Sequence, residues 1–175
     1  MWKKRILWSI PALIVLVQFI PVDRSVPVVK ETDTFYVSEN VPEDVVQIMD
    51  NACMDCHSYN TTYPWYSYIA PVSWWLEDHI EEGREHLNFS VWAGYNAKRR
   101  DHKLEEMDEE VKEGEMPLDS YTWAHSEARL SQEQRDRLAS YFSSLRKQSG
   151  PENQIEEAEQ EEKDDDEDDH GDHQH

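Results

Sequence analysis

The chain of 175 residues has few basic side chains, with 17 lysines and arginines against 38 aspartates and glutamates. Its net charge of -21 argues against a nucleic-acid partner, because phosphates require a basic surface. It has only two cysteines, and no second Cys/His pair at short spacing completes a structural zinc site. It also lacks a phosphate-binding loop, an activated nucleophile and a plausible pair of catalytic carboxylates. These absences leave no recognisable active site of a common enzyme class.

The chain has one long hydrophobic run, over residues 6–22, and this run follows three basic residues at positions 3–5. That order is typical of an export signal. The run has about 17 residues, the lower limit for spanning a bilayer. Because no A-x-A-like cleavage site follows, we predict an uncleaved signal anchor over residues 1–22, with a cleaved signal peptide as the alternative. The positive-inside rule then puts the basic end in the cytoplasm and the chain after Asp23 outside.

Both cysteines lie in the stretch Cys53-Met54-Asp55-Cys56-His57. The C-x-x-C-H pattern is that of a c-type haem attachment site. Two thiols at i and i+3 share one face of a helical turn, so they can bond the two vinyl groups of one porphyrin. The adjacent histidine then supplies the proximal iron ligand. We predict one covalent haem c, with thiol redox chemistry and zinc binding as alternatives in which the histidine has no required role.

Aromatic residues are concentrated beside this motif. The chain has seven tryptophans and eight tyrosines, and most of them fall between Tyr59 and Tyr95. A dense aromatic block suits a pocket that shields a large apolar ring from water. We therefore expect the core of the domain and the haem pocket to coincide.

The spacing of apolar residues predicts an all-α domain over residues 41–148. Helices are expected to start at Pro42, Pro71 and about Asn96, and a capping box at Ser131 opens the last helix. The first of these helices bears the C-x-x-C-H motif. The fold class is therefore a small helical domain built around a covalent haem.

The second helix of this domain has one apolar face, which includes His79, whereas Glu77 and its acidic neighbours are expected to face solvent. A lone histidine on an apolar face is either a hydrogen-bonded core residue or an iron ligand. The residues of the apolar face are Val72, Trp75, Leu76, His79, Ile80, Gly83 and Leu87.

The two flanking segments lack helical periodicity. Residues 23–40 carry mixed charges and are predicted to be a linker. Residues 149–175 form an acidic tail that contains 13 acids and one lysine between positions 152 and 172, and this composition predicts disorder. The tail either solvates the protein, attracts a basic redox partner, or loosely holds a divalent metal. The histidines available for a metal are His170, His173 and His175.

Two longer segments resemble a bacterial family known as the haem-binding domain family. They are CMDCHSYNTTYPWYSYIAPVSWWLEDHIEEGREHLNFSVW at residues 53–92 and GEMPLDSYTWAHSEARLS at residues 114–131. The resemblance covers residues 34–146 and leaves out the N-terminal run and the acidic tail. The order of motif helix, intervening helices, G-x-M-P loop and closing helix also looks like a class I cytochrome c.

Carried over residue by residue, the resemblance implies thioethers at Cys53 and Cys56 and a proximal ligand at His57. In class I cytochromes c the methionine of such a loop is the sixth iron ligand, which points to Met116. A Met/His pair of ligands tends to raise the reduction potential. The competing distal ligands are His79 foremost, then His86, His102 and His125.

With both axial positions filled, the iron would have no open site, so one-electron transfer is expected rather than enzymatic turnover. We expect a membrane-anchored monohaem cytochrome c on the periplasmic side of a bacterial cytoplasmic membrane, serving periplasmic or membrane redox partners. One alternative is a haem-based sensor or gas-binding protein with a displaceable distal ligand. A second is a peroxidase-like enzyme, in which His79 or His125 would act as the acid/base on a vacant distal side.

Overall fold

A computed structural model describes residues 2–148, with side chains from Ser9 onward. Every regular element in that range is a helix, so the predicted all-α class is confirmed. The α-helices are α1 Trp2–Val17, α2 Phe35–Ser38, α3 Glu43–Ala52, α4 Met54–His57, α5 Val72–His86, α6 Ala97–Glu113, α7 Asp119–Ala124 and α8 Gln132–Gln148. Short 3₁₀ turns cover Glu31–Asp33, Trp65–Tyr68, Phe89–Gly94 and Ser126–Ala128. The acidic tail and its three histidines lie outside the described residues.

The N-terminal helix α1 has 16 residues and contains Pro11. Among residues 2–148, no helix is both long enough and apolar enough to cross a membrane. The anchor predicted over residues 1–22 stays a prediction.

The chain forms two compact units whose segments interleave along the sequence. Of the described residues, the first unit contains 2–94 and 120–129, and the second contains 95–119 and 130–148. The sequence predicts one domain over residues 41–148, whereas the first unit also includes the segment between α1 and α3.

The core of the first unit includes a residue from the predicted linker. Phe35 of α2 is only 1% exposed, and its ring packs edge-on against Trp92 at 4.8 Å and near Phe89 at 5.2 Å. The Trp92 indole also donates a hydrogen bond to the Glu39 carboxylate. The structure therefore differs from the linker predicted over residues 23–40, because burial of one aromatic side chain folds a segment that lacks helical periodicity.

The second unit is built from α6 and α8, which pack along their apolar faces. The capping box is confirmed, because the Gln134 amide donates to the Ser131 hydroxyl at 3.2 Å and the Ser131 amide donates to the Gln134 side chain at 2.9 Å. At the start of α6, the Asn96 side chain accepts from the Arg99 amide. The buried residues of these two helices include Leu104, Met107, Val111, Leu138, Phe142 and Leu145.

Candidate functional site

The C-x-x-C-H motif lies at a break between two helices of the first unit. Helix α3 ends at Ala52, and Cys53 has φ -127° and ψ -42° before α4 begins. The amide of His57 donates to the Cys53 carbonyl at 3.0 Å, so the predicted helical turn through the motif is present. The kink at Cys53 separates this turn from α3, whereas the sequence predicts one continuous helix.

His57 is held by two backbone carbonyls at the end of α5. Its Nδ1–H donates to the carbonyl oxygens of Gly83 at 3.0 Å and Leu87 at 3.1 Å. A carbonyl can only accept, so the proton is on Nδ1 and the lone pair is on Nε2. Burial lowers the pKa of His57, which favours the neutral ring. The histidine therefore presents an unprotonated nitrogen, the form that binds a metal.

Gly83 allows the motif helix α4 to approach α5 closely. A Cβ atom at position 83 would lie 3.1 Å from the Cys56 carbonyl oxygen. This residue thus both accepts the hydrogen bond of His57 and leaves room for the backbone beside it.

The Asp55 carboxylate, between the two cysteines, joins the motif to two other segments. Its Oδ2 accepts from the Tyr121 hydroxyl at 2.8 Å, and its Oδ1 accepts from the Thr62 amide at 2.8 Å. The Thr61 hydroxyl donates to the Asp55 backbone carbonyl at 2.6 Å. Sequence reasoning missed this role of Asp55 and Tyr121, because no spacing rule links residues 66 positions apart.

Arg84 ties the residues that follow the motif to α5. Its Nε donates to the Ser58 carbonyl at 2.9 Å, and its Nη2 donates to the Thr61 hydroxyl at 2.9 Å. The Tyr59 amide donates to the Ser90 hydroxyl at 2.9 Å. We call residues 53–62 the attachment turn. Its backbone is fixed from several sides by residues distant in sequence.

The surroundings of the two cysteines favour the thiol over the thiolate. Burial raises the pKa of Cys53 to about 12 and that of Cys56 to about 11. Thiol redox centres need the opposite, a pKa lowered toward neutrality. Within residues 2–148, no group of three His, Cys, Asp or Glu side chains could hold a metal ion.

Two of the candidate distal histidines differ in the nitrogen they leave available. His79 donates from Nδ1 to the Trp75 carbonyl at 2.9 Å, which leaves the lone pair on Nε2. The Nε2 of His125 instead accepts from the Tyr66 hydroxyl at 2.7 Å, while its Nδ1 lies 3.3 Å from the Glu127 carboxylate. His79 therefore has a nitrogen suited to iron, whereas both nitrogens of His125 are engaged.

Met116 lies in a loop of the second unit. Gly114 has φ +82°, the left-handed conformation that favours glycine at the end of a helix. The Met116 amide donates to the Glu110 carbonyl at 3.2 Å, and Arg135 donates to the Met116 carbonyl at 3.2 Å. The loop backbone is thus fixed within its own unit, and the Met116 side chain is half-buried. Its role as the sixth ligand stays a prediction.

The exposure predicted for Glu77 is wrong. Its residue is only 7% exposed, and burial raises the pKa of its carboxyl group. The carboxylate accepts from the Tyr63 hydroxyl at 3.4 Å and lies 3.8 Å from Nε of Arg24. The reason is that the buried face of α5 contains Ser73, Glu77 and Ile80, so it is rotated from the predicted apolar face, whose Val72 and Trp75 are exposed.

The chain matches the sequence model of one protein family. The family is the haem-binding domain family, its model matches residues 12–144, and the chain is therefore a member of it. No curated protein and no solved structure matches the chain.

Proposed function

We propose that this haem-binding domain is a monohaem c-type cytochrome, with haem bound through thioethers to Cys53 and Cys56 and with His57 as the proximal ligand. The observation that carries the proposal is the pair of hydrogen bonds from the His57 Nδ1–H to Gly83 and Leu87. A haem ligand needs its second ring nitrogen bonded in this way, which fixes the tautomer and the ring orientation. The two thiols and the Nε2 of His57 therefore fit the vinyl groups and the iron of a haem.

The state of the thiols supports covalent attachment over thiol redox chemistry. Thioether formation adds each S–H across a vinyl group, so it requires two free thiols at a fixed spacing. Cys53 and Cys56 are both free and lie one helical turn apart. Their raised pKa values disfavour the thiolate that disulfide exchange requires.

The backbone around His57 is expected to set the properties of the iron site. The last carbonyls of a helix carry partial negative charge, and they polarise the imidazole N–H toward them. A bound haem supplies one-electron chemistry at its iron. The protein would supply the axial nitrogen and a half-buried turn to hold it. We therefore propose electron transfer as the function and no catalytic turnover.

We propose Met116 as the distal ligand and His79 as its rival. Met116 has the sequence context of the G-x-M-P loop, and Gly114 adopts the conformation that this context predicts. His79 has an Nε2 with a free lone pair, because its Nδ1 proton is given to Trp75. A thioether ligand would favour reduced iron more than a second imidazole.

We also propose that the protein is attached to a bacterial cytoplasmic membrane by its N-terminal segment, with the haem domain in the periplasm and with redox partners there or in the membrane. Four consecutive residues of α1, Leu13–Leu16, are each 55–64% exposed. Consecutive residues are 100° apart around a helix, so the apolar surface extends around the whole circumference. An aqueous surrounding disfavours such a helix, whereas lipid suits it.

Carbon monoxide tests the electron-transfer function against its alternatives. The reduced full-length protein should bind carbon monoxide slowly or not at all, because both axial positions are filled. A rapid, stable adduct would indicate a gas-binding sensor. Turnover of peroxide by the purified protein would instead indicate a peroxidase-like enzyme.

A further inference from the structure

The first unit has an exposed apolar edge that the haem-attachment residues do not use. No charged residue occurs between Ser58 and Leu76. Within this stretch, Trp75 and four other large side chains are 39–76% exposed, and the four others define what we call the aromatic edge. They are Trp65, Tyr68, Ile69 and Val72. Soluble proteins rarely leave neighbouring aromatic and aliphatic side chains exposed without a partner.

The aromatic edge is joined to the end of the apolar N-terminal segment. The Gln18 side-chain amide pairs with both backbone groups of Ala70, donating to its carbonyl at 2.9 Å and accepting from its amide at 2.9 Å. The Trp74 indole donates to the Ile20 carbonyl at 3.5 Å. These contacts hold residues 18–20 beside the aromatic edge.

Arg24 reinforces this connection from the other side. Its guanidinium lies over the rings of Tyr63 at 4.1 Å and Tyr68 at 4.5 Å, and it donates to the Ser67 carbonyl. Its Nε faces the buried Glu77 carboxylate. Residues 18–24 are therefore attached to the unit at several points. A membrane segment joined in this way would hold the unit close to the bilayer.

We propose that the aromatic edge docks in the interfacial region of the lipid bilayer, so that the haem-binding unit rests on the membrane. The inference rests on the membrane attachment proposed above. Phe19 and Ile20, next to the Gln18 contact, are also exposed and continue the apolar surface toward the edge. Tryptophan and tyrosine favour the headgroup level of a bilayer, where an apolar ring body and a polar tip are both satisfied.

Lipid is the occupant that this geometry favours over a protein. A protein partner covers one side of a helix, whereas the apolar residues of α1 face every direction. The four side chains of the aromatic edge continue that surface, and none of them carries a charge. Trp75 is excluded from the edge because its ring packs at a tilt against the ring of His79, a candidate iron ligand, with the centroids 4.3 Å apart.

Photolabelling of the full-length haem-loaded protein tests the proposal. The protein is placed in phosphatidylcholine vesicles that contain a phosphatidylcholine with a diazirine near its carbonyl groups, and labelled residues are located by mass spectrometry after irradiation. We expect labels on residues 65–72 as well as on residues 10–20. Val37, which is 48% exposed beside acidic residues of the same unit, should stay unlabelled.

Substitutions of residues in the aromatic edge provide a matched comparison of lipid labelling. In Trp65→Gln/Ile69→Gln, labelling of Tyr68 and Val72 should fall several-fold while labelling of residues 10–20 is unchanged; Ile69→Gln alone should give a smaller loss. Val37→Gln should change nothing. The covalent haem content of each variant shows that it has folded.

Two outcomes would overturn docking at the edge while leaving membrane attachment in place. In the first, labels are confined to residues 10–20. In the second, the edge is labelled only at a low ratio of protein to lipid. That result would show that a second copy of the chain covers the edge at higher ratios. A complete absence of labels, including on residues 10–20, would overturn both the docking and the membrane attachment.

Discussion

The attachment turn and the loop around Met116 are held in different ways. In the attachment turn, Asp55 and His57 are bonded to residues from α5 and α7, far away in sequence. In the Met116 loop, the backbone is bonded to Glu110 of α6 and Arg135 of α8. The first arrangement fixes a side chain, whereas the second fixes a backbone.

This difference distinguishes the two proposed axial ligands. The orientation of His57 is set by the protein fold, because the Nδ1 proton has two carbonyl acceptors. The Met116 backbone is placed by the end of α6, while its thioether has no comparable polar contact among the described residues. The proposed proximal ligand is therefore expected to tolerate changes elsewhere better than the proposed distal one.

Removing each ligand in turn should give the largest difference. In His57→Ala, the iron should lose its low-spin spectrum and covalent haem yield should fall sharply, because the imidazole that Gly83 and Leu87 orient is removed. Met116→Ala should keep its haem but bind carbon monoxide rapidly when reduced. Gln47→Ala, which removes only a surface contact 3.4 Å from the Glu43 carboxylate, is the control. A six-coordinate spectrum for Met116→Ala would point to His79 instead.

The link between Asp55 and Tyr121 should be the strongest single contact of the attachment turn. A double-mutant cycle with Asp55→Ala and Tyr121→Phe is expected to give a coupling of about 1.5–3 kcal/mol, the range for a hydrogen bond to a charged group. Urea unfolding of the four proteins measures it. The more exposed pair of Tyr36 and Asp50, 2.9 Å apart, should give a smaller coupling in the same cycle. Equal couplings would contradict the importance given to Asp55.

In the Met116 loop, Gly114 should be the most sensitive position. Gly114→Ala is expected to destabilise the protein by about 1–2 kcal/mol, because the Cβ atom of alanine makes the left-handed conformation unfavourable. Gly114→Asn should cost less, since asparagine tolerates that conformation. Both are measured by urea unfolding, with the low-spin spectrum as a second readout. Equal costs for the two substitutions would show that backbone conformation is not the reason for glycine at this position.

Gly83→Ala should have the smallest effect, because two contributions to the free energy of unfolding oppose each other. Alanine gains about 1 kcal/mol over glycine inside a helix, and crowding of the Cys56 carbonyl costs about 1–3 kcal/mol. The net result is a destabilisation of up to about 2 kcal/mol, with a shifted haem spectrum as α4 moves. Gly94→Ala is the control, since no atom lies within 4 Å of its added Cβ. A wild-type spectrum for Gly83→Ala would remove its proposed role.

Sequence patterns predicted the helices better than the contacts between segments. The helical turn through Cys53–His57, the capping box at Ser131 and the left-handed conformation of Gly114 follow local rules. The burial of Phe35 and Glu77 depends on which segments meet in three dimensions. Glu77 shows the limit clearly, because an acidic residue inside a helix predicts exposure unless partners such as Arg24 and Tyr63 are known.

Covalent attachment of the haem is the central claim, and the intact mass of the protein tests it most directly. The full-length chain is produced with the c-type maturation machinery, denatured, extracted with acidified organic solvent and weighed, alongside Cys53→Ala/Cys56→Ala. We expect the wild-type chain to retain one haem after extraction and the variant to retain none. Complete extraction of haem from the wild-type chain would contradict covalent attachment.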